Sequence, residues 1–129
     1  MKRAPKTWGW RGALLALALA SAMPARADDV FVAGLEDLPL MPRLVEHSDE
    51  RLAFEGAGGR IVESTASGPV ARAEIVDFYA RTLPELGWRA EREGVWAREG
   101  ERLRIEFPAP RGARAPAGLT VVRFRLAPD

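Results

Sequence analysis

The chain has 129 residues, 47% of them hydrophobic and 29% charged, with no cysteine and a formal net charge of +1. Those figures describe one ordinary globular domain and exclude a multidomain enzyme, a disulfide-stapled miniprotein and a polytopic membrane protein. A cysteine nucleophile is excluded outright.

The first element reads as an export segment. Residues 1–27 open with Lys2, Arg3, Lys6 and Arg11, continue through an apolar run at 13–20 and end on Ala25-Arg26-Ala27. A basic start, a short apolar centre and a small-residue site are the three parts of a secretory signal peptide. The apolar stretch 12–23 falls short of the roughly 20 residues that span hydrocarbon. Arg11 has no neighbouring arginine, which favours the general secretory route over a twin-arginine route. Cleavage is expected after Ala27, giving a periplasmic or secreted protein that meets a membrane only if the signal stays uncleaved. Residues 28–129 then hold 14 arginines, no lysine and 18 acidic residues, a balance of −4. Nucleic acid is not an expected partner, because phosphate neutralisation needs a basic surplus.

Residues 28–129 are expected to form a single α+β domain. Its first part, 28–50, reads as irregular and extended, because Pro39 and Pro42 forbid a regular central strand. Two runs at 52–54 and 60–67 flank Gly56-Ala57-Gly58-Gly59 as a hairpin. Gly68-Pro69 signals a helix entry, with Ser67 or Gly68 as cap and Pro69 at the first helical position. Ile75, Tyr79, Leu83 and Leu86 then form one apolar stripe at helical spacing, and Gly87 is the natural left-handed stop after Pro84. Strand-like runs follow at 88–92, 95–98, 102–107 and 119–126, with turns at Glu93-Gly94 and Glu99-Gly100. The second turn pairs Trp96 with Leu103 and puts Trp96, Leu103, Ile105 and Phe107 on one face, matched by Val122, Phe124 and Leu126. Residues 108–118, rich in proline and glycine, read as a surface loop. The expected architecture is a two-layer sandwich: an antiparallel sheet of about four to six strands with one main helix on one face.

Three segments, Asp37-Leu38-Pro39-Leu40-Met41-Pro42, Gly59-Arg60-Ile61-Val62-Glu63 and the helix end Phe78-Tyr79-Ala80-Arg81-Thr82-Leu83-Pro84-Glu85-Leu86-Gly87-Trp88, resemble a group of small exported bacterial proteins of uncharacterised function. The resemblance implies an architecture and carries no catalytic residues.

Two surfaces are candidates for partner binding. Arg102, Arg104, Arg123 and Arg125 share the sheet face opposite Ile105 and Phe124, with Glu106 nearby and Arg89 at the margin. They would suit an anionic envelope component or an acidic partner protein. Leu38, Pro39, Leu40, Met41 and Pro42 form an apolar, proline-spaced strip that fits a partner groove or the protein's own sheet edge. No catalytic residue, metal ligand or cofactor is assigned. The serines lack an elbow motif, and Gly56–Gly59 has no lysine-serine or lysine-threonine pair after it, so a phosphate loop is not expected. The expected function is an exported binding or accessory protein acting through an envelope protein or envelope component. The alternative is a small periplasmic hydrolase or ligand-binding protein using His47, the only histidine, with Asp49 and Glu50.

Overall fold

The computed structural model describes residues 30–109 and 118–129. The expected signal segment and most of the expected loop at 108–118 therefore lie outside the described residues. Among the described residues the fold is α+β, an antiparallel sheet of seven strands with one α-helix. In chain order these are β1 (Val45–Glu46), β2 (Leu52–Gly56), β3 (Gly59–Gly68), α1 (Arg72–Glu85), β4 (Arg89–Arg92), β5 (Val95–Arg98), β6 (Glu101–Glu106) and β7 (Thr120–Pro128). A short 3-10 turn, Ser48–Glu50, separates β1 from β2. The sheet runs β1-β3-β7-β6-β5-β4, and β2 pairs with β3 further along the edge that β1 uses.

Seven strands replace the four to six expected. The additional one is β1, which pairs Val45 with Ser67 and Glu46 with Ala66 inside a segment expected to be irregular. The segment before it is folded rather than merely extended. Val32 N–H donates to Leu38 O at 2.8 Å, Leu40 N–H donates to Val30 O at 2.7 Å, and Phe31 bridges Pro39. These bonds close a loop whose Val32, Leu35, Leu38, Leu40 and Leu44 all enter the core. The Glu46 carboxylate fastens the loop to the sheet, accepting from Ala33 N–H at 2.7 Å and Ser64 Oγ at 3.1 Å.

The helix begins three residues later than expected, at Arg72 after Ala71. Ser67 and Gly68 cannot cap it because they remain in β3, paired with Val121 and Thr120. The Thr120 hydroxyl then donates to Val70 O at 2.5 Å, tying the connection to β7. At the other end Gly87 adopts φ +88° and its N–H donates to Pro84 O, while Trp88 N–H donates to Leu83 O, the expected left-handed stop.

The meander β4–β7 follows the turn chemistry of its sequence. Glu99 and Gly100 both have positive φ, 48° and 76°, the geometry that matches the twist of a two-residue hairpin. This turn sets Trp96 opposite Leu103. One inward row accordingly crosses the sheet through Val62, Leu126, Leu103, Trp96 and Ala90. Val62, Leu126 and Leu103 of this row form the core with Phe124 and Val122, joined by Ile75, Tyr79 and Leu83 of α1. Tyr79 is the largest of these buried side chains and sits edge-on to Phe124, ring centres 5.3 Å apart.

Candidate functional site

The four sheet arginines lie together on the outer face, because Leu103 and Ile105 pair inward with Leu126 and Phe124. Their charges are largely spent within the protein. Arg102 meets Glu91 at 3.0 Å and Asp129 at 2.6 Å, while Glu63 meets Arg123 at 3.4 Å and Arg125 at 3.1 Å. Glu63, Glu91 and Asp129 therefore supply the ion pairs, and Glu106 supplies none among the described residues. Arg104 is exposed, joins no ion pair among the described residues and stands directly opposite Arg125. The arginine stems also shelter Val95 and Ala97, each 6% exposed although they point away from the helix. Among the described residues this face is largely ion-paired, and two of its guanidinium groups, Arg104 and Arg89 at the margin, join no ion pair.

The proline-spaced strip is mostly internal, which corrects its assignment as a partner surface. Leu38 and Leu40 are buried in the core, and the Tyr79 hydroxyl holds the strip from beneath. It donates to Pro39 O at 2.9 Å and accepts from Met41 N–H at 3.1 Å. Burial raises the Tyr79 hydroxyl pKa well above its ordinary value. Pro39 and Met41 are half-buried and only Pro42 is exposed. Pro39 bridges Phe31 through the N–H and C=O groups of its neighbours, so its missing N–H costs the bridge nothing and its own carbonyl is left for the tyrosine.

His47 is separated from the carboxylates expected to help it. Asp49 and Glu50 lie exposed in the 3-10 turn, whereas the His47 Nε2 contacts Ser67 Oγ at 2.7 Å. The pairing of β1 with β3 makes this contact across 20 residues of sequence. Among the described residues no group of three or more His, Asp or Glu side chains is placed to hold a metal ion.

The concave site lies elsewhere. A cavity of about 650 Å³ opens between α1 and strands β4–β6, inside the usual range for small-molecule pockets. Arg72, Val76, Tyr79 and Ala80 form its helix wall. Ala90, Trp96, Ile105 and Phe107 form its floor, and Arg92, Glu93 and Gly94 its rim at the β4–β5 turn. Its cause is geometric. A helix about 10 Å across covers roughly two strands spaced 4.8 Å apart. The folded N-terminal loop covers further sheet, and the inward side of β4 and β5 is left over. Arg72 lies at the mouth, its guanidinium 4.6 Å from the centre of the Phe107 ring and in no ion pair among the described residues. The lining is mainly apolar and also holds four charged residues, Arg72, Arg92, Glu93 and Glu106, two of each sign. Sequence reasoning placed Trp96, Ile105 and Phe107 on the one face of the sheet that the helix was expected to cover. The available signal was numerical, since one helix cannot cover the apolar side of six strands.

Compared with known proteins, the chain matches no family model, no curated protein and no solved structure.

Proposed function

We propose that the chain is a small exported binding module of the bacterial envelope, whose groove takes the apolar chain of an anionic amphiphile. The observation that carries this reading is the mainly apolar groove, suited to a hydrocarbon tail, in which Arg72 is stacked on Phe107 and joins no ion pair among the described residues, leaving it to meet a negative head although Glu93 and Glu106 also belong to the lining. Export rests on the layout of residues 1–27, with cleavage after Ala27 and release into the periplasm or beyond. The body is read as one domain over 28–129 in two layers, sheet and helix, with kinship to small exported bacterial proteins that share its Asp37–Pro42 strip and Leu86-Gly87-Trp88 helix end. An envelope protein meeting the outer face at Arg104, or the exposed end of the strip at Pro42, fits the same accessory role.

The test is a titration of the exported protein with a single-chain fatty acid and with a neutral amphiphile of equal chain length. Tryptophan emission reports occupancy through Trp96 in the groove floor, with Trp88→Phe removing the second emitter of residues 28–129. Both ligands are expected to bind, the anionic one more tightly, and Arg72→Glu to remove that preference. Equal binding of both ligands before and after the change would contradict a role for Arg72.

A second reading, a small hydrolase, is favoured by one observation: His47 and Ser67 are within hydrogen-bond distance, the contact a base makes with a hydroxyl nucleophile. Its test is ester hydrolysis by the exported protein. His47→Ala and Ser67→Ala are each expected to abolish turnover if the pair is catalytic, and turnover unchanged by both would remove this reading.

A further inference from the structure

The two edges of the sheet are built differently, and the difference points to a partner. At one edge β4 presents Arg89, Glu91 and Arg92, with an irregular register between Ala90 and Arg92. Charge and a bulge are the devices by which sheets refuse further strands. At the other edge β2 has no such protection. Its sequence is Leu-Ala-Phe-Glu-Gly, all five residues are exposed, and among the described residues β3 is its only partner. Leu52 is 56% and Phe54 62% exposed, and Ile61 beside them on β3 is 42% exposed.

The hydrogen-bonding phase of β2 follows from its turn. Gly56 pairs with Gly59 across Ala57-Gly58, so these two glycines exchange bonds. Alternation along an antiparallel pair then turns the backbone groups of Leu52 and Phe54 toward β3. Those of Ala53 and Glu55 point away from the sheet. Arg51, extended at φ −101° and ψ 132°, continues the same alternation. The edge therefore offers Arg51, Ala53 and Glu55 as a ladder without a partner.

This ladder complements itself. When two copies meet antiparallel about a two-fold axis through Ala53, Ala53 faces its own copy. Leu52 then faces Phe54, and Arg51 faces Glu55, each pair occurring twice. The faces agree: Ala53 pairs with inward Val62, which puts Arg51 and Glu55 on the inner side and both apolar residues on the outer side. Shifting the centre to Leu52 would set Glu55 against Asp49, and shifting it to Phe54 would set Arg51 against Ala57. Only the Ala53 register matches charge with charge. Glu55 joins no ion pair among the described residues, and Arg51 holds only a loose one to Glu46 at 3.6 Å.

We propose that β2 is a homodimerisation edge, pairing antiparallel with β2 of a second copy through Arg51–Glu55 to make one continuous sheet. The inference is independent of the groove, which lies toward the far edge of the sheet. The contact is short, so the dimer forms in a concentration-dependent way. The test is sedimentation velocity of the full exported protein over a concentration series. The expected result is a shift from monomer to dimer mass as concentration rises. Arg51→Glu and Glu55→Arg, made singly, oppose like charges and should each raise the midpoint concentration about tenfold or more. The two together swap the charges and should restore it. Ala53→Cys gives an otherwise cysteine-free chain one thiol on the two-fold axis. Paired Cα atoms about 5.5 Å apart there permit a disulfide, so mild oxidation should link the dimer covalently. A protein that stays monomeric throughout, or a dimer unmoved by either single reversal and unlinked by the cysteine, overturns the proposal.

Discussion

Tyr79 joins the helix, the sheet and the N-terminal loop through one side chain. Its ring fills the core against Phe124 while its hydroxyl both donates to Pro39 and accepts from Met41. Removing the hydroxyl alone leaves a half-buried carbonyl and a half-buried N–H without their partner. Tyr79→Phe is therefore expected to cost about 1 to 3 kcal/mol, measured as a shift in denaturation midpoint at constant slope. The hydroxyl also predicts an alkaline limit. Its folded pKa lies above the unfolded value of about 10. The contribution is thus fully present below that value and is lost as pH rises through the folded pKa. Tyr79 is the only tyrosine, so tyrosinate absorbance reads this group alone and should appear together with unfolding; a free titration near pH 10 in the folded protein would contradict its burial. Periodicity at Ile75, Tyr79 and Leu83 made the ring legible as core. The hydroxyl's partners were not, because they lie about 40 residues away on a segment with no periodic pattern. Ser67 escaped notice as the contact of His47 for the same reason: only strand pairing brings them together.

The elements that could be read are those whose signals are local. The helix end at Pro84-Gly87-Trp88 and the pairing of Trp96 with Leu103 both follow from residues adjacent in sequence. β1 is two residues long and depends wholly on β3, so no run of residues announced it. The same register explains why a row of arginines is tolerated: Glu63, Glu91 and Asp129 stand among them. Arg104 opposite Arg125 is the exception, a like-charge cross-strand pair. Such pairs are destabilising and opposite charges there contribute roughly 0.2 to 1 kcal/mol. Arg104→Glu is expected to leave the melting temperature unchanged or raise it slightly. A clear fall would show that Arg104 has an internal partner and that the outer face is differently arranged.

For the whole molecule, the proposed function turns on what one helix leaves uncovered. Folding buries Leu38 and Leu40 of the Leu38–Pro42 strip that the sequence offered as a docking surface, and opens a groove over Trp96, Ile105 and Phe107, which the sequence set on the apolar face of the sheet. The groove could not be read from periodicity, since a stripe such as Trp96, Ile105 and Phe107 looks the same under a helix or beside one. Its occupancy is the central claim, and Val76 gives direct access to it. Val76 lines the helix wall yet is 42% exposed and outside the core cluster. A carboxylate there should spoil the groove for an apolar chain without unfolding the protein. The decisive measurement is fatty-acid titration of the protein and of its Val76→Asp variant, followed through tryptophan emission with thermal unfolding as the control. Saturable binding by the parent, weakened about tenfold or more in a variant of nearly unchanged stability, is the predicted result; no binding by the parent, or equal binding by both, would contradict it.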